Sequence, residues 1–123
     1  AAWYLLRENC LVVNSGTATT VDTLSTEGVF LGGLILPGLD LMGRSLAAAT
    51  AQLGDASGKQ VLYPTNTAEA IYNGVLQASC GAVERQYHLL GDVRVTILLS
   101  GGGADALQKN LSMPTRIVDN LVL

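Results

Sequence analysis

Three strand-forming runs stand in a row near the start of the chain, and the hydrophobic period then changes abruptly at Pro37 and Gly38. "CLVVNS" (10–15) and "TATTVDTLS" (17–25) are rich in Val and Thr and parted by Gly16. That composition predicts two strands joined as a tight hairpin. Glu27 and Gly28 turn the chain into "VFLGGLIL" (29–36), a run apolar on both faces, as expected of a central strand. Beyond Pro37 and Gly38, Leu39, Met42, Leu46, Ala49 and Leu53 recur at three- and four-residue intervals and predict one face of a helix.

A polar loop, "GDASGKQ" (54–60), and Pro64 lead to a second helix. Asn66 is its expected N-cap, with Glu69 three residues on to complete a capping box, and the helix runs to about Leu90. Ala70, Gly74 and Ala78 stack along it with Gly81 close by, a stripe that suits either close packing within the domain or a subunit contact. The last third reads as strand "RVTILLS", glycine loop "GGGA", short helix "DALQKNL" and strand "TRIVDN", while "AWYLLREN" closes a helix in which Trp3 and Tyr4 pack. Three antiparallel strands followed by alternating helices and parallel strands form an α/β sheet of ribonuclease H-like type.

Composition limits what such a sheet can be. Of 123 residues 49% are apolar and 14% charged, too little polar cover for a solitary globule. Ala1 at the start and the apolar "LVL" at the end read as cut ends, so the expectation is one domain of a larger protein. The net charge is −3 and the seven Lys and Arg residues are scattered, which argues against a nucleic-acid surface. Cys10 and Cys80 have no metal-ligand spacing and read as small buried apolar residues of a reduced, cytoplasmic protein. No run approaches the roughly 18 apolar residues of a membrane span.

Two glycine loops carry the chemistry. "SGTATT" lies at the hairpin, and "SGGGA" lies between a buried strand and a helix. Glycine lets backbone amides approach a phosphate or purine, and threonine hydroxyls donate to phosphate oxygens. Together the loops predict a nucleotide across the strand ends, with the hairpin at its phosphates and "GGGA" nearer its base. His88, the single histidine, stands near the end of the long helix as a partner of its dipole, and Ser15 and Ser100 have no histidine near them in sequence to complete a nucleophilic triad.

"NSGTATTVD", "FLGGLILPGLDLMGRSLAAATAQL", "YPTNTAEAIYNG", "SGGGA" and "VDNLVL" follow one another in an order and spacing that resembles the type III pantothenate kinases, a family that includes the Bvg accessory factors. The resemblance runs over nearly the whole chain. It implies the fold of the acetate and sugar kinase, heat-shock chaperone and actin superfamily, with two ribonuclease H-like halves. It further implies transfer of the γ-phosphate of ATP, carried with Mg2+, to pantothenate, the first step of coenzyme A biosynthesis. A homodimer and a monovalent cation, K+ or NH4+, belong to the same implication. Residues 1–123 then correspond to the C-terminal domain. The N-terminal half with its Asp-x-Gly-Asn-Thr loop, the Gly-x-Asp-Arg motif with the general base upstream of Ala1, and a final helix are expected outside it, leaving no catalytic base in this chain.

Residue by residue, Gly16 and Thr17 match the family's Gly-Thr-Ala motif at ATP, and Gly101, Gly102 and Gly103 match the loop near the adenosine. Thr67 matches a substrate-binding threonine; without the resemblance it reads as a first-turn residue beside the Asn66 cap. Asn14 stands where many members have a cation-binding aspartate, so the charge is missing here. Asp22 keeps a carboxylate of the motif, equally readable as a plain strand-end residue. An accessory protein linked to transcriptional activation and a non-catalytic homologue are the alternatives, and turnover of ATP and pantothenate separates the kinase from both.

Overall fold

The computed structural model describes residues 9–50, 59–91 and 94–119. Its elements are β1 (Asn9–Ser15), β2 (Ala18–Leu24), β3 (Phe30–Pro37), α1 (Leu39–Thr50), α2 (Thr67–Leu89), β4 (Val95–Ser100), α3 (Ala104–Asn110) and β5 (Thr115–Ile117). This is the expected order of three strands, two helices, strand, helix and strand. The strands form one sheet in the order β3-β2-β1-β4-β5. β1, β2 and β3 are antiparallel neighbours, and β4 runs parallel to both β1 and β5. The helix predicted from "AWYLLREN", with Trp3 and Tyr4, lies outside the described residues, as does the end of the first helix beyond Thr50.

Alternation along the strands divides the core between the two sheet faces. Leu11, Val13, Val21, Ile97 and Leu99 meet Cys80 and Val83 of α2 and Ala104 and Leu107 of α3 on one face. Cys10, Val12, Leu24 and Leu98 cluster on the other. β1 sits in the middle of the sheet, and its residues from Cys10 to Val13 are all buried. Both cysteines are buried and free, and burial together with the nearby Glu84 pushes the Cys80 thiol up to about 11.

β3 corrects an expectation. Its two apolar faces read as a central strand, yet it is outermost in the sheet and Phe30, Leu31 and Ile35 are exposed, Ile35 by 81%. Hydropathy reports what a strand could bury, whereas its place in a sheet is decided by which strands it pairs with. Among the described residues β3 pairs with β2 alone, and Gly32 at φ +148° lies beside a register shift opposite Thr23 and Leu24. The first helix differs likewise. Gly43 and Ala47 are its buried positions, while Leu46 and Ala49 of the predicted stripe are exposed.

The second helix follows its local signals. The Asn66 side chain accepts the Glu69 amide at 2.9 Å and caps α2. At the other end Gly91, at φ +79°, returns its amide to the His88 carbonyl at 3.0 Å. His88 lies in the last turn, its ring edge-on to Tyr87. Ala70, Gly74, Ala78 and Gly81 are all exposed, and a β-carbon on Gly74 or Gly81 would meet nothing within 4 Å. At Gly74 and Gly81, therefore, the stripe meets no close neighbour among the described residues.

Candidate functional site

The turn between β1 and β2 is nested between the starts of α1 and α3. The Gly38 amide donates to the Thr17 carbonyl at 2.9 Å, and the Gly103 amide donates to the Ser15 carbonyl at 3.0 Å. Both approaches require glycine. A β-carbon on Gly38 would run into the Gly16 and Thr17 carbonyls, and one on Gly101 or Gly103 into Ser15. Gly101 also has φ +90°, which a side chain would strain.

The hydroxyls of the turn differ in their surroundings, because Thr17 sits in the turn itself while Thr19 is already within β2. Thr19 is buried, and its hydroxyl shares a hydrogen bond of 2.9 Å with Ser15 Oγ, which braces the hairpin from inside. Thr17 is exposed. It borders a cavity of about 380 Å³ together with Ser15, Gly16, Gly102, Gly103 and the first turn of α1. Of the residues expected at ATP, Gly16, Thr17, Gly102 and Gly103 thus border one cavity, and Gly101 packs behind it against Ser15. Gly102 has nothing within 4 Å of a would-be β-carbon, so that side of the loop is open.

Sequence reasoning missed three contributors. Gly38 marks a change of period in the sequence, yet it forms one of the turn's contacts. Asp40 and Arg44 border the cavity, joined by a 2.8 Å ion pair between Arg44 Nε and Asp40 Oδ2. Both are strongly exposed, so the pair adds little stability, but it holds a guanidinium at the cavity edge. Their four-residue spacing on the turn after Gly38 was the available signal.

Asn14 lies at the end of β1, exposed, in register with Thr20 of β2 and Ser100 of β4. A β-carbon on Gly101 would stand 2.9 Å from its side-chain oxygen. Ser100 is buried, and its hydroxyl has no hydrogen-bond partner among the described residues. The oxygens gathered here are neutral. Among the described residues no group of three or more His, Cys, Asp or Glu side chains could hold a metal ion. Asp22, two residues along from Thr20, faces Gly33 of β3 across the ladder, and a β-carbon there would collide with its carboxylate. Burial raises the pKa of Asp22.

Thr67 is placed elsewhere. It borders a wider, largely apolar groove between α1 and α2 with Met42, Leu46, Ala70, Gly74 and Ala78. Within one chain it does not share the cavity beside Thr17.

Comparison with known proteins agrees with this architecture. Residues 1–89 match the family model for type III pantothenate kinase. A type III pantothenate kinase of Nitrosospira multiformis is 48% identical over 126 residues, covering 100% of this chain and 48% of that protein. One of Aromatoleum aromaticum is 54% identical over 123 residues, covering 97% of this chain and 50% of the relative. The chain spans about half the length of these curated relatives. Among solved structures, a conserved protein of Campylobacter jejuni described as a Baf family transcriptional activator superposes with a TM-score of 0.63 at 24% identity, covering 97% of this chain and 54% of that one. A Sinorhizobium meliloti protein described as a 2-dehydro-3-deoxygalactonokinase superposes with a TM-score of 0.50 at 21% identity, covering 96% of this chain and 51% of that one. These two likenesses are of fold alone: the chain shares the α/β architecture of both structures.

Proposed function

The chain belongs to the type III pantothenate kinase family, and from that membership we propose that it is the C-terminal, nucleotide-gripping half of a kinase that phosphorylates pantothenate with ATP. The observation that carries this reading is the hairpin turn with Thr17 at its tip, wedged between Gly38 and Gly103 and bordering an open cavity. ATP supplies the phosphoryl group, and the chain's part is to hold it. The Thr17 hydroxyl donates to a phosphate oxygen, Gly16 and Gly102 give close access, and Arg44 adds positive charge at the edge. In this reading Mg2+ is carried by the phosphates of ATP; among the described residues no cluster of carboxylates could hold it. Asn14, with the Ser100 hydroxyl in register beside it, offers neutral oxygens at the family's cation position. These suit a monovalent ion better than a divalent one.

In this reading Thr67 serves pantothenate, and the apolar groove beside it is covered by a second copy of the protein in a homodimer. Leu46, exposed, lines the groove with Met42, Ala70 and Ala78, a hydrocarbon load that suits burial between subunits. A cytoplasmic location goes with this function; among the described residues, no helix is long and apolar enough to cross a membrane. Steady-state assay of a full-length protein with ATP and pantothenate tests the proposal. Turnover of both supports it, and its absence favours the accessory or non-catalytic alternative. Residues 1–123 alone should be inactive, since phosphoryl transfer needs donor, acceptor and base positioned together and the base lies upstream in this reading.

A further inference from the structure

Asn73 is an amide buried to 5% exposure two turns into α2. Asparagine is a poor helix-interior residue, and burying its amide is costly unless both ends are bonded. Here both ends are bonded, and mostly outside the helix. Its nitrogen donates to the Lys59 carbonyl at 2.9 Å as well as to the Glu69 carbonyl of its own helix at 2.8 Å. Its oxygen accepts the Val61 amide at 3.1 Å. The segment so held, residues 59–66, has no helix or strand of its own and ends at the Asn66 cap beside Thr67. Its large side chains do not anchor it, for Leu62 and Tyr63 are 77% and 82% exposed. A second tie comes from Gln60, whose amide donates to Asn110 Oδ1, while Asn110 Nδ2 donates to the Ala106 carbonyl of α3 at 2.7 Å.

We propose that Asn73 is a positioning residue: by fastening the segment before α2 it sets Thr67 for the acceptor alcohol. The proposal rests on the reading of Thr67 as the acceptor-side residue. The test uses the full-length enzyme with Asn73→Ala, Gln60→Ala, Thr67→Val and the Asn73→Ala/Thr67→Val double variant. Asn73→Ala should raise KM for pantothenate by about tenfold while KM for ATP and kcat stay within about twofold. The double variant should be no worse than Thr67→Val alone, because the two residues act as a unit. The Val61 amide should exchange with deuterium much faster in Asn73→Ala. Gln60→Ala, at an exposed position, should raise the same KM by about threefold and serves if Asn73→Ala does not fold. Equal rises in both KM values, additive losses in the double variant, or no response to Gln60→Ala would each overturn the proposal. If Thr67→Val raises KM for pantothenate and Asn73→Ala does not, the proposal fails alone. If Thr67→Val itself leaves that KM unchanged, the acceptor-side reading fails and takes the proposal with it.

Discussion

The amide of Gly103 donates to the carbonyl of Ser15 at 3.0 Å, so that the start of α3 is bolted to the end of β1. Two loops far apart in sequence become one wall through this bond. It forms only because neither Gly101 nor Gly103 carries a β-carbon, since either would run into Ser15.

Gly101→Ala should therefore destabilise the chain by about 1–3 kcal/mol, from the strain of positive φ and from a backbone collision that no side-chain rotation relieves. Gly102→Ala, with nothing within 4 Å, should be nearly neutral. Denaturant unfolding of the two variants side by side checks this, and equal stabilities would contradict the close packing of the loops.

Thr17→Val keeps shape and strand propensity while removing the exposed hydroxyl at the turn. In the full-length enzyme we expect kcat/KM for ATP to fall about tenfold or more, the size of a charge-assisted hydrogen bond. Unchanged kinetics would remove the hairpin from the phosphate site.

Asn14→Asp restores a carboxylate among neutral oxygens. Activation by potassium over sodium should become stronger in the variant. The same activity in both salts for both proteins would overturn the cation position proposed at Asn14.

Asp22 lies over Gly33 with its pKa raised by desolvation. The folded state then holds the proton better than the unfolded state. The contribution favours folding below the ordinary carboxylate pKa and is lost as pH rises through the raised value. At neutral pH burying this charge opposes folding, so Asp22→Asn should raise Tm at pH 7, with the gain shrinking near pH 4. Thermal melts at the two pH values decide it, and a gain independent of pH would refute the electrostatic origin.

Gly74→Leu should separate folding from assembly. Nothing lies within 4 Å of the added β-carbon, and leucine has the better helix propensity, so the domain should keep or gain stability by up to about 1 kcal/mol. Sedimentation of the full-length variant should nonetheless show loss of the proposed dimer. A dimer of unchanged affinity would move the interface off the α1–α2 groove.

What could be read from sequence was local chemistry. Gly16 and Thr17 at a tight turn, the Asn66 cap and the switch of period at Pro37 each depend on a few adjacent residues, and all three stand in the structure. What was missed depends on pairing between distant segments. The place of β3 in the sheet is decided by β2, the role of Gly38 by the hairpin it touches, and the partner of the Thr19 hydroxyl by the turn that brings it to Ser15. None of these leaves a mark in the neighbouring residues that composition or periodicity can detect.

The outermost strand has a practical consequence. β3 offers hydrocarbon on both faces and unclaimed main-chain groups along one side among the described residues, which is the template that one chain needs to recruit another. Gly32 and Pro37 interrupt the run at two points, and between them Gly33, Leu34, Ile35 and Leu36 remain continuous. Wherever this strand is left uncovered, losses on storage should follow concentration steeply and temperature weakly, with filaments or precipitate seeded by material already lost. A lysine in place of Ile35, the most exposed of these residues, is the change that should lengthen shelf life without touching the core.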